Sequence, residues 1–414
     1  MGTGKTAIAL VAAAATAAAG WQTALLAPTE LLARQHAATA QRLLSTLGIE
    51  VELLVGTLSA AERRRVRGAV ESGAAHLVVG THALFADATS FATLGLVVVD
   101  EQHRFGVDER SQLSAKGEVE PHLLLMTATP IPRTIAQLLY ADVASSELRA
   151  LPAGRQPIRT AIRGSGELEK LWTFVQAEAA EGRGTFVVVP RIGEGEPGDE
   201  PRVELGVDDR ELSGEAGVEE AARDLARVLP KLKIGAVHGR QPADLRNRQM
   251  EAFAAGDLDV LVGTTVVEVG VDVPRASVMV VLGADRFGLA TLHQLRGRVG
   301  RGASEGWCVL VSDSADEVAM ERLRAIESTR DGFLLAERDL ELRGEGNVLG
   351  TEQSGLPPLR VAALSRAEDR ALALLARGEA ESLLDAGGRP RAIARPLVDS
   401  YLRGWPTDIL VEAK

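Results

Sequence analysis

The strongest constraint on this chain is one pattern used twice: a short, almost uninterrupted apolar run, a turn, then a stretch with helical spacing. Apolar runs at 23–27, 77–79, 96–99 and 123–126 alternate with helical periodicity over 30–47 and 60–71. Pro152, Gly154 and Pro157 mark a break, after which runs at 186–189, 234–237, 260–262, 278–282 and 308–311 alternate with helical stretches at 168–181, 217–229 and 243–255. Strands without a polar face must be covered on both sides, which is the condition of a parallel sheet with crossover helices. The expected fold class is therefore α/β, with two parallel-sheet domains in tandem. From Asp316 onward helical spacing dominates, interrupted by the glycine-rich segment 343–355. The expected organisation is 1–150, 151–315 and a mostly helical region 316–414.

With 414 residues there is enough chain for two or three domains, each with its own core. The net charge of −11 argues against a nucleic-acid partner until it is located. Between Glu194 and Asp224 twelve acidic residues face three arginines, so this stretch carries nine of the eleven net negative charges. It is rich in Gly and Pro and reads as a solvated loop leading into a helix, an acidic insertion rather than part of a binding surface. The single cysteine, Cys308, excludes an internal disulfide and suits a reducing cytoplasm; its apolar surroundings mark it as a buried strand residue and not a nucleophile. No run of strongly apolar residues is long enough for a membrane span.

The chain opens Met1-Gly2-Thr3-Gly4-Lys5-Thr6. Gly4, Lys5 and Thr6 fit the last three positions of the phosphate loop G-x-x-x-x-G-K-S/T, in which backbone N–H groups cradle phosphates, the lysine reaches the β/γ oxygens and the hydroxyl holds Mg²⁺. The first glycine would fall before Met1, and so would the strand leading into the loop. Two other readings compete for these residues. Met1-Gly2 with Thr6 fits the myristoylation pattern, and Lys5 followed by the Ala-rich stretch 7–19 resembles a signal peptide.

Ligands of open α/β sheets bind at the carboxyl ends of the strands. The run 96–99 leads directly into Asp100-Glu101-Gln102-His103. Phosphoryl transfer needs a metal ligand and a group that orients or deprotonates water, roles that suit Asp100 and Glu101. Alone, an Asp-Glu pair is a solvated strand end; with Gly4-Lys5-Thr6 upstream it becomes half of a nucleotide site. The next run ends in Thr127-Ala128-Thr129-Pro130, whose hydroxyls are suited to linking that site to a bound strand. Gln294 to Arg301 places Arg298 and Arg301 three apart, expected on one helix face, as arginines that stabilise charge on a transferring phosphoryl group.

In this order the segments resemble the superfamily 2 helicases and translocases. Gly4-Lys5-Thr6 is similar to motif I, Pro28 to Leu32 to motif Ia, Gly80-Thr81-His82 to motif Ib, and Asp100 to His103 to motif II. Thr127 to Thr129 is similar to motif III, Gly263 to Pro274 to motif V, and Gln294 to Arg301 to motif VI. Seven motifs in sequence dispose of the signal-peptide and lipidation readings. Within the superfamily the chain resembles the RecG family of ATP-dependent DNA helicases, through the strings from Asp100 to Val107, Met126 to Thr134 and Leu292 to Arg298. Asp331-Gly332-Phe333, Leu342-Arg343-Gly344 and the stretch through Gln353-Ser354-Gly355 resemble the translocation motif shared with the Mfd-type transcription-repair coupling translocases. Those are the alternative: Gly346-Asn347 and Glu352 to Gly355 lean towards Mfd, whereas Gln102, Tyr140 to Asp142 and Leu151 to Arg155 lean more firmly towards RecG.

The resemblance implies two RecA-like domains that use ATP and Mg²⁺ to translocate on duplex DNA, regress forks and migrate Holliday junctions in recombination and repair. It assigns nucleotide contacts to Gly2, Gly4, Lys5, Thr6, Asp100, Gln294 and Asp272, and metal to Thr6 and Asp100. It assigns catalysis to Lys5, Asp100, Glu101, Arg298 and Arg301, and coupling to His103, Thr127 and Thr129. Nucleic-acid contacts fall to Thr29, Thr81, Thr264, Arg343 and Gln353. A monomer acting on branched or double-stranded DNA in the bacterial cytoplasm is expected, with no membrane; contacts with single-strand-binding protein or the replisome are not specified.

The family also carries an amino-terminal wedge domain with an OB-fold and the first half of the phosphate loop, which this sequence does not include. Stacking aromatics are scarce, at 3% of the chain. Three expectations follow: a motor core, a non-catalytic fragment that binds nucleotide or DNA, or a chain whose true start lies upstream.

Overall fold

The computed structural model describes residues 3–84, 89–101, 119–127, 144, 146–148, 156–190, 214–264, 273–302, 304–342, 366–385, 389–396 and 398. The chain divides into two compact units: Met1–Pro130 with Glu147–Asp339, and Ile131–Ser146 with Leu340–Lys414. The first unit contains two sheets.

The first sheet is built from β1 (Gln22–Leu26), β2 (Val51–Leu54), β3 (Leu77–Gly80), β4 (Leu94–Asp100) and β5 (His122–Met126), in the order β2-β3-β1-β4-β5. Every pairing is parallel. Successive side chains on a strand point to opposite faces, and both faces are buried. Leu25, Leu77, Val79, Leu96 and Val98 pack beneath α1 (Lys5–Ala18) and α2 (Glu30–Leu44), through Ala9, Leu10, Ala13, Leu32, Ala37 and Ala40. Ala24, Leu26, Val78, Val97 and Val99 face the other way, onto Val66 and Val70 of α3 (Ala60–Glu71) and onto Leu84 and Phe91. This double coverage is what the unbroken apolar runs demand.

The second sheet consists of β6 (Ile158–Arg163), β7 (Gly184–Val188), β8 (Ile234–Val237), β9 (Val260–Gly263), β10 (Ala276–Leu282) and β11 (Gly306–Val311), ordered β6-β11-β10-β7-β9-β8 and again parallel. Val187, Val262, Val280 and Val309 pack against α4 (Leu168–Ala180) and α5 (Gly214–Val228). Also present are α6 (Ala243–Ala255), α7 (Leu289–Arg296), α8 (Glu317–Ser328) and α9 (Gly332–Leu342). Cys308 is fully buried in β11, and burial pushes its thiol up to about 12, as its apolar run predicts. In the second unit α10 (Ala367–Ser382) is followed by a bridge between Leu384 and Pro390.

Two strands escape the periodicity. In β2 Glu52 interrupts the apolar run and is held by a two-pronged hydrogen bond from Arg65 at 2.6 and 2.8 Å. β6 is an edge strand whose apolar residues are interrupted by Arg159, Thr160 and Arg163, and Glu327 of α8 accepts from its Ile162 N–H at 3.2 Å. In both, a strand group is answered by a partner outside the strand, 13 residues on for Glu52 and 165 for Ile162. The helical stretch expected over 30–47 is α2 plus a 3₁₀ turn at Ser45–Leu47, closed by Gly48. No helix among the described residues is long and apolar enough to cross a membrane.

Candidate nucleotide site

All strands of the first sheet are parallel, so their carboxyl ends share one edge. The segments that follow them bring Thr29, Thr81, Asp100-Glu101 and Thr127 to that edge. Gly4 leads into α1 with a φ of 93°, a left-handed conformation that a side chain would strain. Its carbonyl accepts from Ala7 N–H and Ile8 N–H, at 3.0 and 3.3 Å. The N–H groups at the start of a helix have no intrahelical partner, so the amino end of α1 is suited to an anion.

Lys5, on the first turn of α1, is half-buried. Burial pulls its ammonium below the ordinary lysine value; Glu101 and Asp100 act in the opposite direction, and Arg298 and Arg301 add to the lowering. The two arginines lie between α7 and β11 of the second sheet's half, so residues nearly three hundred positions apart bear on one ammonium. Asp100 ends β4 and is only 7% exposed. Its Oδ1 accepts from Glu101 N–H at 3.0 Å, and its Oδ2 lies 2.9 Å from His36 Nε2. Glu101 has a φ of 52°, in the left-handed region, which costs a residue with a Cβ about 1 to 3 kcal/mol. Such strain concentrates at functional sites, where the fold over-determines the side-chain position.

Arg298 and Arg301 do not share a helix face. α7 stops at Arg296, Gly297 caps it, and Gly300 has a φ of 66°, so both arginines lie on the turn beyond the helix. Gly300 N–H donates to Ala276 O at the start of β10, and a Cβ at Gly300 would meet the Gly306 Cα at 3.2 Å. Two glycines thus replace the expected helical spacing and bring the chain tight against the sheet. Arg298 is 4% exposed, and Arg301 Nε donates back to Gly297 O at 3.2 Å. Gln294 is buried within α7.

Thr29 caps α2, its hydroxyl accepting from Leu32 N–H at 3.4 Å, and Thr81 lies just beyond β3, partly exposed. Thr264 differs: it is fully buried, and its Oγ1 has no hydrogen-bond partner among the described residues. Gly2, His103, Thr129, Asp272, Arg343 and Gln353 lie outside the described residues.

Sequence reasoning missed two buried side chains. His36 reaches Asp100 from α2, and nothing in the order of residues places that helix over β4. Arg296 is 3% exposed and donates to Ile326 O and Thr329 O at 2.6 and 2.8 Å, and to His293 Nδ1 at 2.9 Å. Because guanidinium only donates, Nδ1 is the bare nitrogen of a neutral ring. Burial first, then Arg296, lower the His293 pKa to about 3.

A helix amino end carrying Gly4-Lys5-Thr6, adjoining carboxylates at the same sheet edge and an arginine pair from a second parallel sheet define the class: the two-sheet motor core of a superfamily 2 helicase. Residues 1–138 match the DEAD/DEAH box helicase family, 214–303 the helicase conserved C-terminal domain, and 329–395 the C-terminal part of domain 3 of ATP-dependent DNA helicase RecG. The chain is 44% identical over 384 residues to ATP-dependent DNA helicase RecG of Synechocystis, covering 93% of this chain and 44% of that protein. To its counterpart in Mycobacterium tuberculosis it is 46% identical over 388 residues, covering 89% and 52%. A structure of RecG bound to a three-way DNA junction is 35% identical with a TM-score of 0.68, covering 91% of this chain and 46% of that one. Yeast Dbp5 bound to RNA and ADP BeF3, 17% identical with a TM-score of 0.53 and 80% of each chain covered, shares the fold alone. The chain belongs to the RecG-type superfamily 2 helicases. It spans about half the length of the curated relatives it matches.

Proposed function

We propose that this chain is the ATP-hydrolysing motor of a helicase that moves duplex DNA and remodels branched DNA. The observation that carries the proposal is the convergence of Lys5, Asp100 and Glu101 from the first sheet with Arg298 and Arg301 from the second on one electrostatic site. Residues 1–150 and 151–315 then act as the two halves of the motor, with 316–414 as the region that engages duplex DNA through Arg343 and Gln353.

In this reading Gly4 and the α1 amino end hold the phosphates and Lys5 neutralises them. Gln294 binds the nucleotide from the second domain, with Gly2 and Asp272 completing the contacts. Glu101 orients and deprotonates the attacking water, while Arg298 and Arg301 stabilise charge on the transferring group, so that hydrolysis depends on the two halves acting together. Mg²⁺ characteristically binds through one or two carboxylates plus nucleotide oxygens, not a dedicated protein cage. One enclosed, hydrogen-bonded carboxylate at Asp100 and the first-turn hydroxyl of Thr6 fit that pattern and would hold the ion, which would supply charge neutralisation at the phosphates. Thr29 and Thr81 contact the DNA backbone without sequence preference. Thr127, with His103 and Thr129, links those contacts to the nucleotide. The partner is chromosomal DNA in the bacterial cytoplasm, bound by a monomer.

The test is ATP hydrolysis by the purified chain with and without a three-way junction, beside Lys5→Ala and with ADP binding measured in parallel. Junction-stimulated hydrolysis that disappears in Lys5→Ala is expected. Hydrolysis that survives Lys5→Ala overturns the site; ADP binding without hydrolysis assigns the chain instead to a non-catalytic binding fragment.

A further inference from the structure

Asp100 is held by two donors, one local and one remote. Glu101 N–H is its chain neighbour, whereas His36 comes from α2, sixty-four residues away, with Nε2 at 2.9 Å from Oδ2. An ionised carboxylate only accepts, so Nε2 carries the proton. Both side chains are enclosed, at 8% and 10% exposure, and His36 is the one side chain hydrogen-bonded to Asp100 among the described residues. A buried donor on a single carboxylate oxygen fixes the rotation of that carboxylate and leaves the remaining lone pairs pointing in set directions.

The amino end of α2 is tied down by exposed contacts. Thr29 is its N-cap, and Glu30 is gripped by Arg34 at 2.7 Å and by the hydroxyl of Thr57, which lies in the segment after β2. Arg34 donates also to Thr57, at 3.0 Å. No Gly or Pro interrupts Glu30–Leu44, so the helix has no hinge between its cap and His36. His36 lies seven positions along the chain from Thr29, two turns and about 10 Å at 1.5 Å per residue. The unhinged helix is the route by which a displacement at the half-buried cap would reach the enclosed carboxylate.

Resting on the nucleotide-site reading above, we infer that His36 is a positioning residue: it holds Asp100 for the metal of the bound nucleotide and transmits DNA engagement at the Thr29 end of α2 to that carboxylate. The predicted consequence is a coupling between DNA and metal-nucleotide affinity that runs through one hydrogen bond. Linkage makes the coupling reciprocal, so the nucleotide complex tightens DNA by the same factor as DNA tightens the nucleotide complex.

Binding without turnover tests this. Free Mn²⁺ is followed by electron paramagnetic resonance as it is taken up with ADP by the whole chain, with and without a three-way junction, for wild type, His36→Ala and His36→Gln. Donors to a metal-binding carboxylate are worth about 10- to 100-fold in metal affinity. His36→Ala is expected to weaken Mn²⁺ uptake by roughly tenfold or more and to abolish the difference made by DNA. His36→Gln keeps an N–H donor and is expected to recover most of both effects, which a purely packing role would not produce. Wild-type metal affinity and an intact DNA response in both variants overturn the inference while leaving the nucleotide site standing. Absence of ADP-dependent Mn²⁺ uptake by the wild type removes the nucleotide-site reading itself, and the role of His36 with it. If His36→Ala melts out, the Gln variant decides: a DNA response lost despite a wild-type unfolding transition also refutes the hydrogen-bond route.

Discussion

Replacing Arg296 by methionine tests the packing that holds the arginine turn in place. The side chain is 3% exposed and makes three hydrogen bonds, to Ile326 O at 2.6 Å, Thr329 O at 2.8 Å and His293 Nδ1 at 2.9 Å. Ile326 and Thr329 end α8, where unpaired carbonyls and the helix dipole favour a cation. Methionine fills much of the volume but donates nothing, so two carbonyls and a ring nitrogen lose their donor. Each buried acceptor left unpaired costs about 1 to 3 kcal/mol. Against this stands the desolvation of the guanidinium, which burial already penalises in the wild type. The net loss expected is about 3 to 5 kcal/mol, the range for breaking a buried charged network from one side. For a domain of this size that is a fall in melting temperature of roughly 10 °C. Scanning calorimetry measures it, with Arg296→Lys as a control that reaches a single carbonyl and loses an intermediate amount. A Met variant that melts within about 1 kcal/mol of wild type would show that the network contributes little beyond packing.

Three further outcomes are expected. Below its ordinary value of 6.5 an unfolded His293 gains a proton that the folded ring, held near 3, does not accept, so stability falls with acidity, by about 2 kcal/mol at pH 5. His293→Gln should flatten urea midpoints between pH 7 and 5; an unchanged slope would locate the acid sensitivity elsewhere. Nucleotide affinity should begin to fall at a pH below 10.5 as the desolvated Lys5 loses its charge, and Lys5→Arg should move that fall upward in fluorescent-ADP titrations. Glu101→Gln should slow single-turnover hydrolysis by about 10² to 10⁴ while ADP binding persists; a loss confined to binding would make Glu101 a ligand and not a base.

Much of the fold was legible because its strands carry the signal themselves. β1, β3, β4, β7, β9, β10 and β11 are apolar on both faces, and that requirement exists whatever their neighbours are. β2 and β6 were illegible because polar residues break their apolar runs, Glu52 being satisfied by Arg65 and Arg159 by Glu305, partners identified only once the chain has folded. Asp100 and Glu101 could be placed at a sheet edge from the run before them, and the amino end of α1 from Gly4-Lys5-Thr6. The shared helix face proposed for Arg298 and Arg301 failed because spacing of three was read as helix, while Gly297 and Gly300 end it.

By itself the sequence determined two doubly covered parallel sheets and the side chains available at their edges, because periodicity and residue type are local properties. The tertiary structure alone decided which charges meet. That Lys5 feels both a pair of carboxylates and a pair of distant arginines, and that α2 delivers His36 onto Asp100, depends on helix placement over a sheet. Electrostatics and hydrogen bonds act through distance, and distance between residues remote in sequence exists only in the folded chain.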